Sequence, residues 1–242
     1  MSALLAQFRV ECTLTLRNKE SLLLTLGIPV GLLVFFSLVD VLPIDADDPV
    51  DVLAPGVLAL AIMSMSMTGL AIATGFERSY GVLKRLGTTP LGRPRLLLAK
   101  IGGVVAIEAV QAAVLIPVGI ALGWRPSLSA LPLVGAIVLG TAAFSGIGLW
   151  MSGTLRAEIT LALANGLYLV FLLLGGFLIP LEEFPGPLRT IAHGLPGSAL
   201  TDLVTAAFAG GGAPARAWIV LALWAAATPV LAARTFRWAP PR

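Results

Sequence analysis

Glu108 and Gln111 are the polar pair that stands out most, because both interrupt a long apolar stretch of this 242-residue chain. Their spacing of three residues places them on one face of a helix. An acid in such a position could relay protons in an ion-coupled carrier. A single acid is weak support for a relay, however, and a polar contact to a neighbouring helix accounts for the pair more simply.

Other combinations of residues that could support catalysis are incomplete. Ser145 lies in an apolar segment and His193 in a loop, and no pattern pairs them as a serine protease requires. Glu182 and Glu183 resemble the start of a carboxylate metal site, but no histidine or second acidic motif completes it. We interpret both as interfacial carboxylates. The single cysteine, Cys12, excludes a disulfide framework and a cysteine-rich metal site.

The sequence also lacks the means to use ATP by the common route. It contains no G-x-x-x-x-G-K-[ST] phosphate-binding loop. Its single histidine excludes a multi-histidine metal centre, and no pair of aspartates lies within the apolar segments for an aspartyl protease. We therefore expect no catalytic residue, no metal site and no cofactor in the chain itself.

The elements that must position these residues are membrane helices. Apolar residues make up 57% of the chain and charged residues only 12%, which is too little charge to cover a soluble domain. The continuously apolar runs exclude a transmembrane barrel. The pattern predicts an all-α polytopic membrane protein with six transmembrane helices, at residues 22–41, 53–76, 101–122, 131–151, 159–179 and 217–233.

Residues 1–21 predict an amphipathic helix that lies in the membrane interface. The charges in this segment leave no uninterrupted apolar core for a cleavable signal peptide, and Ser2 could cap the helix. The alternative is a simple lead-in to the first span. The stripe on one helical face consists of Leu4, Leu5, Phe8, Cys12 and Leu16.

The distribution of basic residues predicts the orientation. Thirteen of the 16 Lys and Arg residues fall on one side of the predicted spans, which places both termini and the 77–100 loop in the cytoplasm. The basic pI of about 9.5 then follows from the basic residues on the cytoplasmic side of the membrane. We therefore do not expect the chain to bind nucleic acid. The first outer loop is acidic, with Asp40, Asp45, Asp47, Asp48 and Asp51.

The 77–100 loop predicts a short cytoplasmic helix with one apolar face. Tyr80, Leu83 and Leu86 recur every three residues, and Gly87 and Pro90 are stop signals. Such a face requires a partner surface, although a helix held on lipid headgroups by its basic residues is the alternative. The stretch 93–100 should lie along the interface before the third span.

A second informative segment, residues 180–215, separates the last two predicted spans. It is too interrupted by proline to span a membrane and too apolar to be a free outer loop. Two half-helices that dip into the outer leaflet and pack against the fifth and sixth spans fit it best.

Together, these features resemble the membrane subunit of an ABC-2 type ATP-binding-cassette exporter. The run Glu77-Arg78…Gly81-Val82-Leu83…Leu86…Thr89-Pro90-Leu91 is similar to the family's E-R-x-x-G-T-L-x-x-L-x-x-T-P coupling segment, with Val82 in place of the common Thr and Lys84 in place of the common Glu. The run Gly176-Phe177…Pro180…Pro185…Leu188…Leu195-Pro196 is similar to the motif before the family's last span.

The resemblance implies a single transmembrane domain, residues 1–242, in a bacterial plasma membrane. It implies a homodimer or a pair with a paralogous permease, bound to cytosolic ATPase subunits that hold ATP and Mg. The chain shows no added carbohydrate-binding domain, and in this respect it most resembles the antibiotic-resistance branch of the family. The cargo of that branch is amphipathic or lipidic. Export of a lipid or polysaccharide by the same architecture is an alternative.

The resemblance also assigns roles to residues. Leu83 and Leu86 should insert into a groove of the ATPase, with Lys84 and Arg85 at the rim. Gly176, Pro180, Pro185 and Pro196 should shape the outer re-entrant segment. The ATPase-docking set comprises Glu77, Arg78, Tyr80, Gly81, Leu83, Lys84, Arg85, Leu86 and Pro90.

Two rival functions remain open at this level. The first is a secondary drug carrier that couples Glu108 to the proton gradient. The second is a scaffold or assembly protein of the membrane that transports nothing and has no use for a coupling helix.

Overall fold

The structure, a computed structural model, describes residues 3–17, 19–39, 48–89 and 92–237. Apart from one isolated bridge between Ser127 and Ala209, the regular structure within these ranges is helical, as the apolar pattern predicts. A short 3-10 turn covers Leu181–Glu183. The helices are α1 Ala3–Arg17, α2 Lys19–Leu38, α3 Pro49–Ser79, α4 Val82–Leu86, α5 Arg93–Ala121, α6 Ala130–Thr154, α7 Ala157–Leu174, α8 Gly186–His193, α9 Pro196–Phe208 and α10 Ala215–Thr235.

Five helices are long and apolar enough to cross a membrane, namely α3, α5, α6, α7 and α10. They coincide with the second to sixth predicted spans. The described apolar part of α2 is shorter, Leu23–Leu38, and the predicted end of the first span lies partly in residues 40–47, which are outside the described ranges. The count of six spans therefore stays a prediction.

Two predicted boundaries are wrong. The third helix begins at Arg93 and not at 101, because the stretch 93–100 is the first part of α5, a continuous helix of 29 residues. The location of this stretch at the membrane interface stays a prediction. No helix breaker separates it from the span, and Leu96, Leu97 and Ala99 are already buried there. The fifth span ends at Leu174 and not at 179, because Gly175 closes the helix and Gly176 takes a φ of 70° that favours glycine.

α3 forms the centre of the bundle. Nearly every residue of its first half is buried, and α2, α5, α6 and α9 pack around it. The most extensive helix pair is α6 with α10. Here Gly146 lies against the backbone of Thr228 and Pro229, and the Thr228 hydroxyl donates to the Ala143 carbonyl at 2.7 Å. Small residues and interhelical hydrogen bonds of this kind stabilise helix pairs in lipid.

Two of the spans contain π-helical turns, Ser64–Gly69 in α3 and Ala136–Gly140 in α6. A π turn adds one residue to a helical turn and locally widens the helix, and such turns occur frequently at functional sites. Thr141, which directly follows the second π turn, is buried and faces Glu108 of α5. The π turn of α6 thus lies next to the buried side chain of Glu108.

The outer segment forms the two predicted helices, α8 and α9. α9 is buried over most of its length. It packs mainly against α3, α6 and α10 and less against α7, so the expected packing against the fifth and sixth spans is present and is more extensive with the sixth. Two backbone bonds, Ser127 N–H to the Phe208 carbonyl and Ser129 N–H to the Ala207 carbonyl, both 2.7 Å, explain the contact with the start of α6. Entry of these helices into the outer leaflet stays a prediction.

Substituting Gly56 with alanine is expected to destabilise the chain by about 1–3 kcal/mol, or more. A Cβ at this position would lie 1.8 Å from the Phe177 carbonyl oxygen, and a backbone atom cannot rotate away. Gly166→Ala in α7 is the matched control, since a Cβ there meets nothing within 4 Å. Thermal unfolding in detergent measures both variants. Equal melting temperatures would contradict the close approach of α3 to the loop after α7.

Candidate functional site

The predicted coupling segment forms a helical corner at one end of the bundle. α3 continues to Ser79, and Gly81 then reverses the chain with a φ of 76° before α4 begins. Backbone bonds from Tyr80 N–H to the Phe76 carbonyl (2.9 Å) and from Gly81 N–H to the Arg78 carbonyl (3.1 Å) close the corner. A side chain at Gly81 would be strained at this positive φ, which is why the motif has glycine here.

Glu77 anchors the corner to two other helices through Lys100. The Lys100 ammonium at the start of α5 is 2.6 Å from Glu77 and 3.2 Å from Glu11 of α1. The lysine side chain is 1% exposed, whereas Glu77 and Glu11 keep 25% and 14% exposure. Gly102 and Gly103 allow α1 to lie close to α5, because side chains there would meet Phe8 and Glu11. α1 is thereby joined electrostatically to the predicted coupling segment.

Arg78 anchors the same corner on its other side. Its side chain is buried, with 1% of the residue exposed, and one guanidinium nitrogen donates to the Leu155 carbonyl in the loop between α6 and α7. Arg237, which follows α10, lies close by, and its N–H donates to the Gly153 carbonyl at 3.1 Å. The adjacent Glu77 and Arg78 therefore tie the corner to different elements of the bundle, α5 and the loop after α6.

Leu83 does not face a partner, contrary to its predicted role as a docking anchor. It is 0% exposed and belongs to an apolar cluster with Leu70, Leu96, Leu97, Val104, Leu149, Ala232 and Phe236. Leu86 is half-buried and packs on the same cluster. The three-residue periodicity correctly places Leu83 and Leu86 on one apolar face, which stabilises α4 on its own bundle. Tyr80 does not belong to this face, because it lies before the Gly81 turn and outside α4.

The outward surface of the corner, which we call the docking face, consists of Tyr80, Val82, Lys84 and Arg85. Tyr80 is 75% exposed and Val82 41% exposed, and both basic residues are exposed. It combines an aromatic side chain, a branched apolar side chain and two positive charges. Pro90, the last residue of the predicted docking set, lies outside the described residues.

Sequence reasoning missed the partners of the motif, namely Lys100, Glu11 and Leu155. Lys100 is separated from Glu77 by 23 positions and from Glu11 by 89. One signal was available, because Lys100 directly precedes an apolar span and Glu11 follows Phe8 by three residues on the amphipathic helix. No sequence pattern pointed to the Leu155 carbonyl, since any residue has one.

Glu108 and Gln111 lie in the interior of the bundle. Glu108 is 6% exposed and accepts a hydrogen bond from the Thr141 hydroxyl at 2.7 Å. Gln111 is 1% exposed, and its amide N–H donates to the Thr25 carbonyl at 3.1 Å. Both residues thus contact a neighbouring helix. Ser145 and His193 form no dyad, because the buried Ser145 hydroxyl has no hydrogen-bond partner in the described part of the chain.

The outer motif residues lie at helix boundaries. Gly176 has a positive φ, Pro180 and Pro185 precede the 3-10 turn and α8, and Pro196 occupies the first position of α9. Thr201 donates to the Gly175 carbonyl at 2.7 Å, which ties α9 to the end of α7.

An ion pair fastens the outer segment to α10. Arg216 pairs with Asp202 and also donates to the His193 carbonyl at 3.0 Å. Burial raises the pKa of the Asp202 carboxyl, and the positive charge of Arg216 acts in the opposite direction. The pair thus joins α8, α9 and α10 at the end of the bundle opposite the docking face.

Comparison with known proteins identifies the family. Residues 3–209 match the family model described as ABC-2 type transporter, a range that contains α1 through α9 and hence both motifs. No curated protein gives a significant match. Across the described ranges, no group of three or more His, Cys, Asp or Glu side chains could hold a metal ion. The chain belongs to the ABC-2 type transporter family and is a multi-pass membrane permease of an ABC-type transporter.

Proposed function

We propose that the chain is the permease subunit of an ATP-driven exporter that moves an amphipathic or lipidic compound, drug-like or antibiotic-like, out of the cytoplasm or inner leaflet. Two such subunits, identical or paralogous, bind two ATPase subunits that hold ATP and Mg. The assembly lies in a bacterial plasma membrane with both termini in the cytoplasm. Residues 1–242 act as one transmembrane domain.

The observation that carries this proposal is the anchoring of the docking face. Buried Leu83 fixes α4 to the ends of α3, α5, α6 and α10. The Glu77–Lys100–Glu11 cluster fixes the corner to α1 and α5, and Arg78 fixes it to the 155 loop. A displacement of the exposed surface around Tyr80 is thereby transmitted to several spans at once. A partner that changes shape with ATP could move the spans through this corner.

Family membership argues against the two rival functions. A permease of an ABC-type transporter takes its energy from ATP, so Glu108 is not needed for proton coupling. A scaffold would not need the anchored docking face. Export of a lipid or polysaccharide uses the same architecture and stays the alternative within the family.

The docking face can be tested by copurification with a candidate ATPase, which would be a phosphate-loop ATPase whose gene is found next to the gene of this chain. Tyr80→Ala should lower its retention about tenfold or more, because exposed aromatic anchors carry much of the energy of an interface. The double variant Lys84→Glu/Arg85→Glu should lower retention in a salt-dependent way. All variants should insert into the membrane at the normal level.

Arg125→Glu is the matched control, since Arg125 is an exposed basic residue in the loop between α5 and α6. It should retain the ATPase fully. If Tyr80→Ala and the double charge reversal both retain the ATPase as well as Arg125→Glu does, α4 rests on lipid headgroups and the docking proposal is wrong.

The orientation can be tested with single cysteines in a chain that carries Cys12→Ser. Gly211→Cys and Thr88→Cys are both exposed, and the structure places them at opposite ends of the bundle. In intact cells an impermeant maleimide should label only Gly211→Cys, because 13 of the 16 basic residues predict a cytoplasmic location for Thr88. Labelling of Thr88→Cys alone would reverse the topology.

A further inference from the structure

A cavity lies within the bundle, away from the docking face. Its volume is about 260 Å³, and α3, α5, α6 and α9 enclose it together with the loop before α6. Apolar side chains such as Leu58, Ile62, Ile137 and Phe208 form most of its wall. Glu108 and Gln111 are the two residues with polar side chains among those that line it.

Both polar side chains present an acceptor without a partner. One carboxylate oxygen of Glu108 accepts from Thr141, while Oε1 is buried and has no hydrogen-bond partner in the described part of the chain. The Gln111 amide nitrogen is used by the Thr25 carbonyl, which leaves its buried Oε1 without a donor. Burying an acceptor without a donor is unfavourable, because the acceptor loses its hydrogen bonds to water. Two such oxygens, on residues three positions apart on one face of α5, lie directly behind the apolar wall, so a donor in the cavity reaches them once a wall side chain moves aside.

The surrounding structure holds these acceptors in place. Thr141 follows the π turn of α6, and Ile137 of the same turn lines the cavity. The cavity also has access to the surface, because its rim residues Val105 and Leu128 are 38% and 65% exposed. A compound dissolved in the membrane could therefore enter from the side of the bundle.

We propose that this cavity binds the amine end of a lipophilic compound, whose N–H groups donate to Glu108 Oε1 and Gln111 Oε1. The lining residues include no Lys or Arg and present acceptors of which one can be a carboxylate, so a cationic donor fits and an anion does not. The volume is slightly below that of typical pockets of about 300–1,000 Å³, which suits a headgroup and the first ring of the ligand. The assignment of this ligand as cargo rests on the proposed export function.

The test uses the full-length chain in phosphatidylcholine nanodiscs without an ATPase. Tritiated 4-phenylbutylamine is the probe, and scintillation proximity measures its binding. We expect saturable binding that falls about tenfold or more in Glu108→Gln and several-fold in Gln111→Leu. Glu158→Gln is the matched control, because Glu158 is an exposed acid at the start of α7 and its loss should leave binding unchanged. 4-Phenylbutyrate should fail to displace the probe, and 4-phenylbutan-1-ol should displace it only weakly.

Three results would overturn the proposal. They are no saturable binding, equal loss in Glu108→Gln and Glu158→Gln, and equal displacement by unlabelled amine and alcohol. The docking variant Lys84→Glu/Arg85→Glu should bind the probe normally while it loses the ATPase. Binding without ATP-driven transport would thus overturn the proposed function and leave the site intact, whereas transport of the amine that is unaffected by Glu108→Gln would overturn the site alone.

Discussion

Lys100→Met is expected to destabilise the chain by on the order of 3 kcal/mol, the lower end of the range for breaking a buried ion pair. The substitution removes the cation that lies between Glu77 and Glu11 and leaves two partly buried carboxylates to repel each other. Thermal unfolding in detergent should show a large drop in melting temperature. Because α1 and the docking corner meet at this lysine, ATPase retention should fall with it.

Two further variants separate the loss of the ion pairs from the loss of a lysine side chain as such. Lys84→Met removes an exposed lysine only 16 positions away and should change the stability by less than about 0.5 kcal/mol. The triple variant Glu11→Gln/Glu77→Gln/Lys100→Met removes the charges of both partners and should recover most of the loss. A Lys100→Met chain as stable as Lys84→Met would show that the three-residue cluster contributes nothing.

Leu83→Ala is expected to lower the free energy of unfolding by about 2–5 kcal/mol, because it creates a cavity in a fully buried cluster. Val82→Ala, one residue earlier on the exposed side of α4, should leave stability within about 0.5 kcal/mol. Thermal unfolding of both variants measures the difference.

The same pair tests which face of α4 meets a partner. If Leu83 were a docking anchor, Leu83→Ala would lose the ATPase while the isolated chain stayed stable. Our structure predicts the reverse, a destabilised chain whose docking loss follows from a displaced α4. A stable Leu83→Ala chain that fails to retain the ATPase would contradict the inward packing.

The sequence by itself determined the class of protein and the position of most spans. Apolar runs of about 20 residues must form helices in lipid, since the backbone finds no other hydrogen-bond partners there. This constraint is local, and so α3, α5, α6, α7 and α10 could be located without tertiary information. The motif around Glu77, Arg78 and Gly81 likewise identified the family, because its residue types and spacing lie within one short segment.

Only the tertiary structure decided where the side chains of the motif point. A three-residue period predicts that Tyr80, Leu83 and Leu86 share one side of a helix, but the Gly81 turn separates Tyr80 from the other two. The direction in which Leu83 and Leu86 point depends on neighbours far away in sequence. Here Phe236 and Leu149 cover Leu83, and Tyr80 stays outside.

Partner choice is non-local for the same reason. The ion pairs of Lys100 reach across 23 and 89 positions, and Arg78 finds a backbone carbonyl 77 positions away. Glu108 and Gln111 were visible as polar residues in an apolar run. The fact that each keeps a buried acceptor without a donor depends on how α3, α5, α6 and α9 pack around a cavity. Contacts between residues far apart in sequence leave no periodic pattern in the sequence. The reason is that the sequence of one helix does not show which residues of another helix it contacts.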